Sequence, residues 1–306
     1  MNLPKIIVIV GPTCSGKTDL SIEISKEIKS EIISADSLQV YKEFSICTSK
    51  PTTEQLNVVK HHLIGSVSVT EEYSVCRFLK ESKEKIREIS IRSMVPVIVG
   101  GTGLYIDALI KNFQFEGSKC ENKVEFDDKD LYYELKKVDP LSANIIGRND
   151  YKRLSRALSF FNKFGFSITE QKRKTLESEC EYKVLKIGIN FKDRKKLYEK
   201  INLRVDKMLE NGILDEVNRV RKLKISKTAS AAIGYKELIP YFKYKMTLAE
   251  AIDKIKQETR RYSKRQITWF KRCKMTNWFF LDEMKDTSVI FKLIRNSGFD
   301  VQNKIV

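Results

Sequence analysis

Eight consecutive residues, Gly11, Pro12, Thr13, Cys14, Ser15, Gly16, Lys17 and Thr18, fit G-x-x-x-x-G-K-[ST] at every defined position. This pattern binds phosphate. Its glycines let backbone N–H groups curl round phosphate oxygens, and a following helix N-terminus adds partial positive charge. Lys17 is a cation for terminal phosphates, and the Thr18 hydroxyl is placed to hold Mg²⁺. The nearest candidate acid is Asp36, in the stretch Ser34 to Tyr41. ATPases pair such a loop with a hydrophobic strand ending in Asp, which holds the metal. Here the next buried strand, 95–99, runs instead into Gly100-Gly101-Thr102-Gly103. That favours a pyrophosphate that leaves over a γ-phosphate that is transferred, although nucleotide kinases vary the position of the acid. Asp36 has an alternative role as a helix N-cap, and the Gly100–Gly103 stretch as a plain tight turn.

These groups need elements to hold them. Lys5 to Val10 is a continuous β-branched run, the pattern of a strand buried on both faces. The phosphate loop follows it, and a helix is predicted over 18–29. Glu31 to Ser34 reads as a second strand, 72–93 as an amphipathic helix, and 95–99 as another buried strand, with a helix from Leu104. Strands alternating with helices indicate a parallel α/β sheet. Residues 116–130 are polar and acidic and read as a loop. Residues 131–172 read as helical, broken at Asp139-Pro140 and around Gly165, and Tyr182 to Asn190 as a return to the sheet. The rest reads as helical over 193–223, 229–243 and 247–273, with a break near Gly212.

The chain has 306 residues, with 57 Lys+Arg against 40 Asp+Glu and a net charge of +17. At 42% hydrophobic and 32% charged it is globular in composition, which excludes disordered, collagen-like and disulfide-stapled classes. The run Ile6 to Val10 is too short to cross a bilayer and lacks a cleavage-type ending. A soluble, cytoplasmic protein with no membrane partner is expected. Residues 1–150 carry a balance of −2, and residues 151–306 a balance of +19. Such asymmetry points to a polyanion. The densest stretch, Lys254 to Lys274, holds nine Lys/Arg and one acid, Glu258, with Tyr262, Trp269 and Phe270 among them. One face of it is expected to track a nucleic-acid backbone. The other, with Ile252, Ile255, Thr259 and Tyr262 at helical spacing, is expected to pack on the protein.

The six cysteines form no C-x-x-C pair and read as reduced thiols. The two histidines, His61 and His62, are adjacent in an extended segment and point opposite ways, so a structural role is expected of them.

Nine segments in order resemble the tRNA dimethylallyltransferase (tRNA isopentenyltransferase) family. They are Gly11–Thr18, Ser34–Tyr41, Lys50–Thr52, His61–Ile64, Val99–Tyr105, Arg153–Leu158, Arg204–Leu209, Ile233–Glu237 and Lys264–Phe270. The resemblance covers about residues 4–282. It implies a P-loop kinase-like α/β core, residues 1–112 and 182–306, interrupted by a mainly helical insertion, 113–181, that grips the tRNA anticodon stem-loop. The implied reaction moves a dimethylallyl group from dimethylallyl diphosphate to N6 of the adenosine at position 37, releasing diphosphate, with Mg²⁺ required. The implied enzyme is a monomer.

On that reading Gly11 to Thr18 bind the diphosphate, Lys17 and Thr18-bound Mg²⁺ stabilise its growing charge, and Asp36 is the general base. Thr102 contacts the reacting centre. Asp36, Ser37, Leu38, Gln39 and Thr102 meet the RNA near the target base, which must leave its stack. Lys152, Arg153 and Arg156 are implied contacts to the anticodon stem. The segment Phe113 to Asp130 is shorter than the family's and carries the acids Asp127, Asp128 and Asp130, and Ala231 stands where relatives often have Gln or Arg. Neither departure touches the phosphate loop. The alternatives are an adenylate dimethylallyltransferase, a P-loop nucleotide kinase that binds ATP, and a non-catalytic RNA-binding protein. The basic second half speaks against the first, and intact Lys17, Thr18 and Asp36 against the last.

Overall fold

The computed structural model describes residues 3–113, 131–177 and 180–299. The expected loop at 116–130, with Asp127, Asp128 and Asp130, lies outside them. The chain divides into two compact units, Met1–Ala108 with Tyr182–Val306, and Leu109–Glu181.

The larger unit is a six-stranded parallel sheet, so the α/β reading holds. Its strands are β1 (Lys5–Val10), β2 (Ile32–Ser34), β3 (His61–His62), β4 (Val97–Gly100), β5 (Lys183–Asn190) and β6 (Asn277–Phe280), in the spatial order β3-β2-β4-β1-β5-β6. Ile6 to Val10 are completely buried, as a run of β-branched residues at the sheet centre should be. Val10 pairs with Gly100 of β4 and Gly188 of β5, and Ser34 of β2 pairs with Val99. The carboxyl ends of β1, β2, β4 and β5 therefore lie together, where parallel sheets bind ligands.

The helices of this unit are α1 (Lys17–Glu27), α2 (Thr53–Val58), α3 (Val75–Ile91) and α4 (Gly103–Ile110), the last running on into the smaller unit. The smaller unit holds α5 (Leu131–Val138), α6 (Pro140–Ile145), α7 (Tyr151–Phe164) and α8 (Ile168–Glu177). After β5 come α9 (Arg194–Glu210), α10 (Ile213–Val220), α11 (Tyr235–Phe242), α12 (Leu248–Phe270) and α13 (Ser288–Asn296). The ends are capped by side chains where the sequence allows it. Ser74 accepts from Arg77 N ahead of α3, and Thr247 and Glu250 form a capping box ahead of α12.

The smaller unit closes on Leu131, Leu135, Ala143, Leu154, Ala157 and Leu158. Its Asp139-Pro140 break is built rather than loose. The Asp139 carboxylate accepts from Ser142 N at 3.0 Å, Thr169 Oγ1 at 2.6 Å and Thr169 N at 3.1 Å, tying α6 to the start of α8.

One expected helix is shortened, and further elements had no counterpart in the sequence reading. Residues 229–234 are not α-helix: a short 3-10 turn at Ala229–Ala231 precedes α11. After Phe270, β6 adds an edge strand and α13 packs Ile290 and Ile294 into the main core. Strand β3 and helix α2 are too short, at two and six residues, to show a period.

The histidines bond to different partners. His61 Nδ1 lies 2.7 Å from Val59 O, and His62 Nε2 lies 2.6 Å from Glu31 Oε2. Arg92, at the end of α3, donates to both Glu31 oxygens at 2.5 and 2.9 Å. The Arg92 bonds first, then His62, hold the Glu31 carboxyl at about 2 against the penalty of burial. A depressed carboxyl stabilises the fold above its unfolded value near 4.5, and that contribution disappears as pH falls toward 2. Glu31→Gln should therefore cost about 1–2 kcal/mol at pH 7, solvent at the half-exposed Arg92 screening part of the interaction. Urea titrations should show the difference shrinking as the pH falls to about 3; a constant difference would contradict this assignment.

Candidate active site

The phosphate loop leaves β1 at Gly11, where a Cβ would lie 2.2 Å from the Ile189 carbonyl oxygen of β5. Only glycine fits that approach. Left-handed backbone at Cys14 (φ 64°) and Gly16 (φ 83°) gives the curl from which anion-binding concavities are made. The loop then opens α1 directly. Ser15 Oγ is buried with no hydrogen-bond partner among the described residues. An orphaned hydroxyl inside such a loop suits a ligand oxygen.

Lys17 Nζ donates to Pro12 O at 2.5 Å, so the amine folds back over its own loop. It is partly exposed yet crowded by protein atoms. Burial pulls it from 10.5 down to about 8, Asp36 and Cys14 push it up, and Arg204 pushes it down again. Asp36 is thus close enough to act on Lys17 electrostatically.

Asp36 follows β2. Its Oδ1 accepts from Leu38 N at 2.9 Å and Gln39 N at 3.3 Å, an Asx-type turn rather than the cap of a helix. Oδ2 makes no hydrogen bond among the described residues. Beside it, Thr102 N donates to Ala35 O at 3.3 Å, and Thr102 Oγ1 accepts from Ser37 N at 3.0 Å. Thr102 and the Asp36–Ser37 turn are therefore one bonded unit at the carboxyl ends of β2 and β4. Gln39 is held inward: its Nε2 donates to Thr48 O at 3.4 Å and Ser49 O at 3.3 Å.

Four residues complete this region, three with no assigned role in the sequence reading and the fourth, Tyr262, expected only to pack on the protein. Arg204 on α9 donates from Nη1 to Thr13 Oγ1 at 2.7 Å and from Nη2 to Thr48 O at 3.4 Å. Glu216 on α10 is buried and accepts from the amides of Ser45, Ile46 and Cys47, each at 2.8 Å, which fixes the segment after Gln39. Tyr262 on α12 faces Asp36, Thr102 and Gln266, and burial first, then the Asp36 charge, raise its phenol. Gln266 bonds to the phosphate loop. No sequence signal marked Gln266, because the buried phase of its helix shows only in the structure. The buried stripe of α12 is Ala251, Ile255, Thr259, Ser263, Gln266 and Phe270, and a glutamine in a core phase needs partners.

That stripe keeps Ile255 and Thr259 on the packed face expected of Lys254 to Lys274, while Ile252 and Tyr262 are only partly buried. The packed face carries Thr259, Ser263 and Gln266, and Phe270 is core. Trp269 Nε1 donates to Asp107 Oδ2 at 3.2 Å, so this ring too is engaged with the protein. Lys256 and Arg260 are bonded to Asp206 and Asn202, whereas Lys254, Lys264, Arg265, Lys271, Arg272 and Lys274 are exposed. Lys152, Arg153 and Arg156 lie exposed on α7 of the smaller unit.

The Thr18 hydroxyl makes no hydrogen bond among the described residues, which also hold no group of three His, Cys, Asp or Glu able to bind a metal. A Mg²⁺ ion that takes most of its ligands from phosphate and water fits this donor set. The site can thus hold a charged diphosphate beside an unbonded carboxylate oxygen.

A family model described as IPP transferase matches residues 39–273. The tRNA dimethylallyltransferase of Thermoanaerobacter sp. (strain X514) is 44% identical over 302 residues, covering 95% of this chain and 96% of its own. That of Bacillus anthracis is 39% identical, with 96% of each chain covered. Among solved structures, the tRNA delta(2)-isopentenylpyrophosphate transferase of Staphylococcus epidermidis is 38% identical with a TM-score of 0.71, covering 96% of this chain and 98% of that one. A eukaryotic dimethylallyltransferase acting on tRNA gives a TM-score of 0.81 at 29% identity, covering 95% of this chain and 78% of its own.

Proposed function

The chain belongs to the IPP transferase family, and on that premise we propose that it transfers a dimethylallyl group from dimethylallyl diphosphate to N6 of the adenosine at position 37 of tRNA. The observation that carries this reading is that the phosphate loop leaving β1 and the bonded Asp36–Thr102 unit following β2 and β4 stand at the carboxyl ends of neighbouring strands of one sheet. A phosphate loop binds a leaving group, and an unbonded carboxylate oxygen beside it receives a proton.

The exocyclic amine of adenine is a poor nucleophile, because its lone pair is delocalised. Its nitrogen attacks the allylic C1, the C1–O bond breaks, and both electrons of that bond leave with diphosphate. The N6 proton passes to Asp36 Oδ2. The loop amides, Lys17 and Arg204 stabilise the negative charge that grows on the leaving oxygen. Thr18 would hold Mg²⁺, which when bound neutralises part of that charge. Thr102, bonded to Ser37, positions the turn that carries Asp36 and faces the adenine. Ser37 and Leu38 meet the RNA beside the target base, with Gln39 as their anchor. Lys152, Arg153 and Arg156 hold the anticodon stem, so tRNA binding should weaken with salt. Among the described residues no helix is long and apolar enough to cross a membrane. We place the enzyme in the cytoplasm as a monomer.

Ligand-induced stabilisation separates this reading from a nucleotide kinase. Dimethylallyl diphosphate with Mg²⁺, at about 100 times its Kd, should raise the melting temperature by about 5 °C. A rise with ATP and none with dimethylallyl diphosphate would favour the kinase.

A further inference from the structure

Gln266 joins two loops that serve different halves of the reaction. It is 5% exposed. Its Oε1 accepts from Thr13 N at 2.8 Å, and its Nε2 donates to Gly101 O at 3.0 Å. A planar amide can do both at once, and an apolar side chain can do neither. The approach is tight, since a Cβ at Gly101 would lie 2.1 Å from Nε2. Burying an amide is unfavourable unless both its ends are bonded, and here they are bonded to backbone remote in sequence. Neighbours on α12 reinforce the bridge. Tyr262 faces Asp36 and Thr102 one turn earlier, and Trp269 is bonded to Asp107 of α4 one turn later.

We infer that Gln266 is a positioning residue that fixes the separation between the phosphate loop and the Gly101–Thr102 turn, and so governs the rate of transfer rather than donor binding. With Thr13 N–H committed to Gln266, the loop retains its other amides, Lys17 and Arg204 for diphosphate. What the bridge sets is where the leaving group sits relative to Asp36 and Thr102. Displacements of about 1 Å between reacting groups cost about 100-fold in rate.

The inference rests on the proposed function. Gln266→Met keeps the length of the side chain and removes both bonds. Inorganic diphosphate with Mg²⁺, titrated calorimetrically, and transfer to an anticodon stem-loop RNA are measured on the same preparations. Ser263→Ala, on the same buried face and with no hydrogen bond from its hydroxyl among the described residues, is the control. The expected result is diphosphate affinity and KM for dimethylallyl diphosphate within about threefold of wild type, with kcat lower by about 100-fold. Unchanged kcat would overturn the inference. Loss of diphosphate binding together with kcat would also overturn it, because Gln266 would then be building the phosphate loop itself. An inactive wild type that still binds diphosphate would instead refute the proposed function.

Discussion

Asp36→Asn should lower the rate of prenyl transfer by about 10³-fold and leave inorganic diphosphate binding nearly unchanged. The two oxygens of Asp36 have separate tasks, which makes this substitution clean. Oδ1 accepts from Leu38 N and Gln39 N and so holds the turn, and asparagine can keep those bonds. Oδ2, unbonded among the described residues, is the atom proposed to take the N6 proton, and an amide nitrogen cannot replace it. The effect should therefore appear in kcat, with the melting temperature close to wild type. Single-turnover measurements with saturating RNA and donor would test it. Transfer at the wild-type rate would remove Asp36 as the base, while leaving the phosphate loop and its ligand untouched.

Lys17→Met should reduce kcat/KM for dimethylallyl diphosphate by about 10²–10³-fold and should also change its pH dependence. Burial holds the amine at about 8 in the free protein, against the opposing pull of Asp36. On the proposed function, diphosphate binds the charged amine and raises its pKa. Below pH 8 the free amine already carries its proton and affinity is insensitive to this group. Above pH 8 a proton must be taken up on binding, and affinity should fall by up to about tenfold per pH unit. Calorimetry with inorganic diphosphate between pH 7 and 9.5 reads this slope, and proton uptake shows as a buffer-dependent heat. The methionine variant should lose both signatures. An equal slope in the two proteins would assign the titration to another group.

The sequence exposes what is local and hides what is bonded over distance. The phosphate loop is eight contiguous residues between a β-branched run and a helix, so its strand, turn and helix are legible together. Asp36 and Thr102 are legible as candidates, but their union depends on β2 lying beside β4, which spacing does not reveal. Arg204, Glu216 and Gln266 were hidden for the same reason. Their bonds to Thr13, Ser45 and Thr13 again cross 191, 171 and 253 residues. The helix carrying Gln266 was legible, yet its buried phase was not. Ile252 and Tyr262 are only partly buried, and Thr259, Ser263 and Gln266 lie on the packed side, because that side faces polar loops as well as core. Short elements such as β3 and β6, with two and four residues, lack a period and gain their structure from the strand beside them.

The proposed activity is prenyl transfer to an adenosine of tRNA. It is tested most directly by incubating the protein with anticodon stem-loop RNA, dimethylallyl diphosphate and Mg²⁺, then digesting the RNA to nucleosides for mass analysis. The expected product is an adenosine heavier by one dimethylallyl group in place of one hydrogen, confined to position 37 and absent when the RNA lacks an adenosine there. Folded protein that binds diphosphate but leaves every adenosine of a competent RNA unmodified would contradict it.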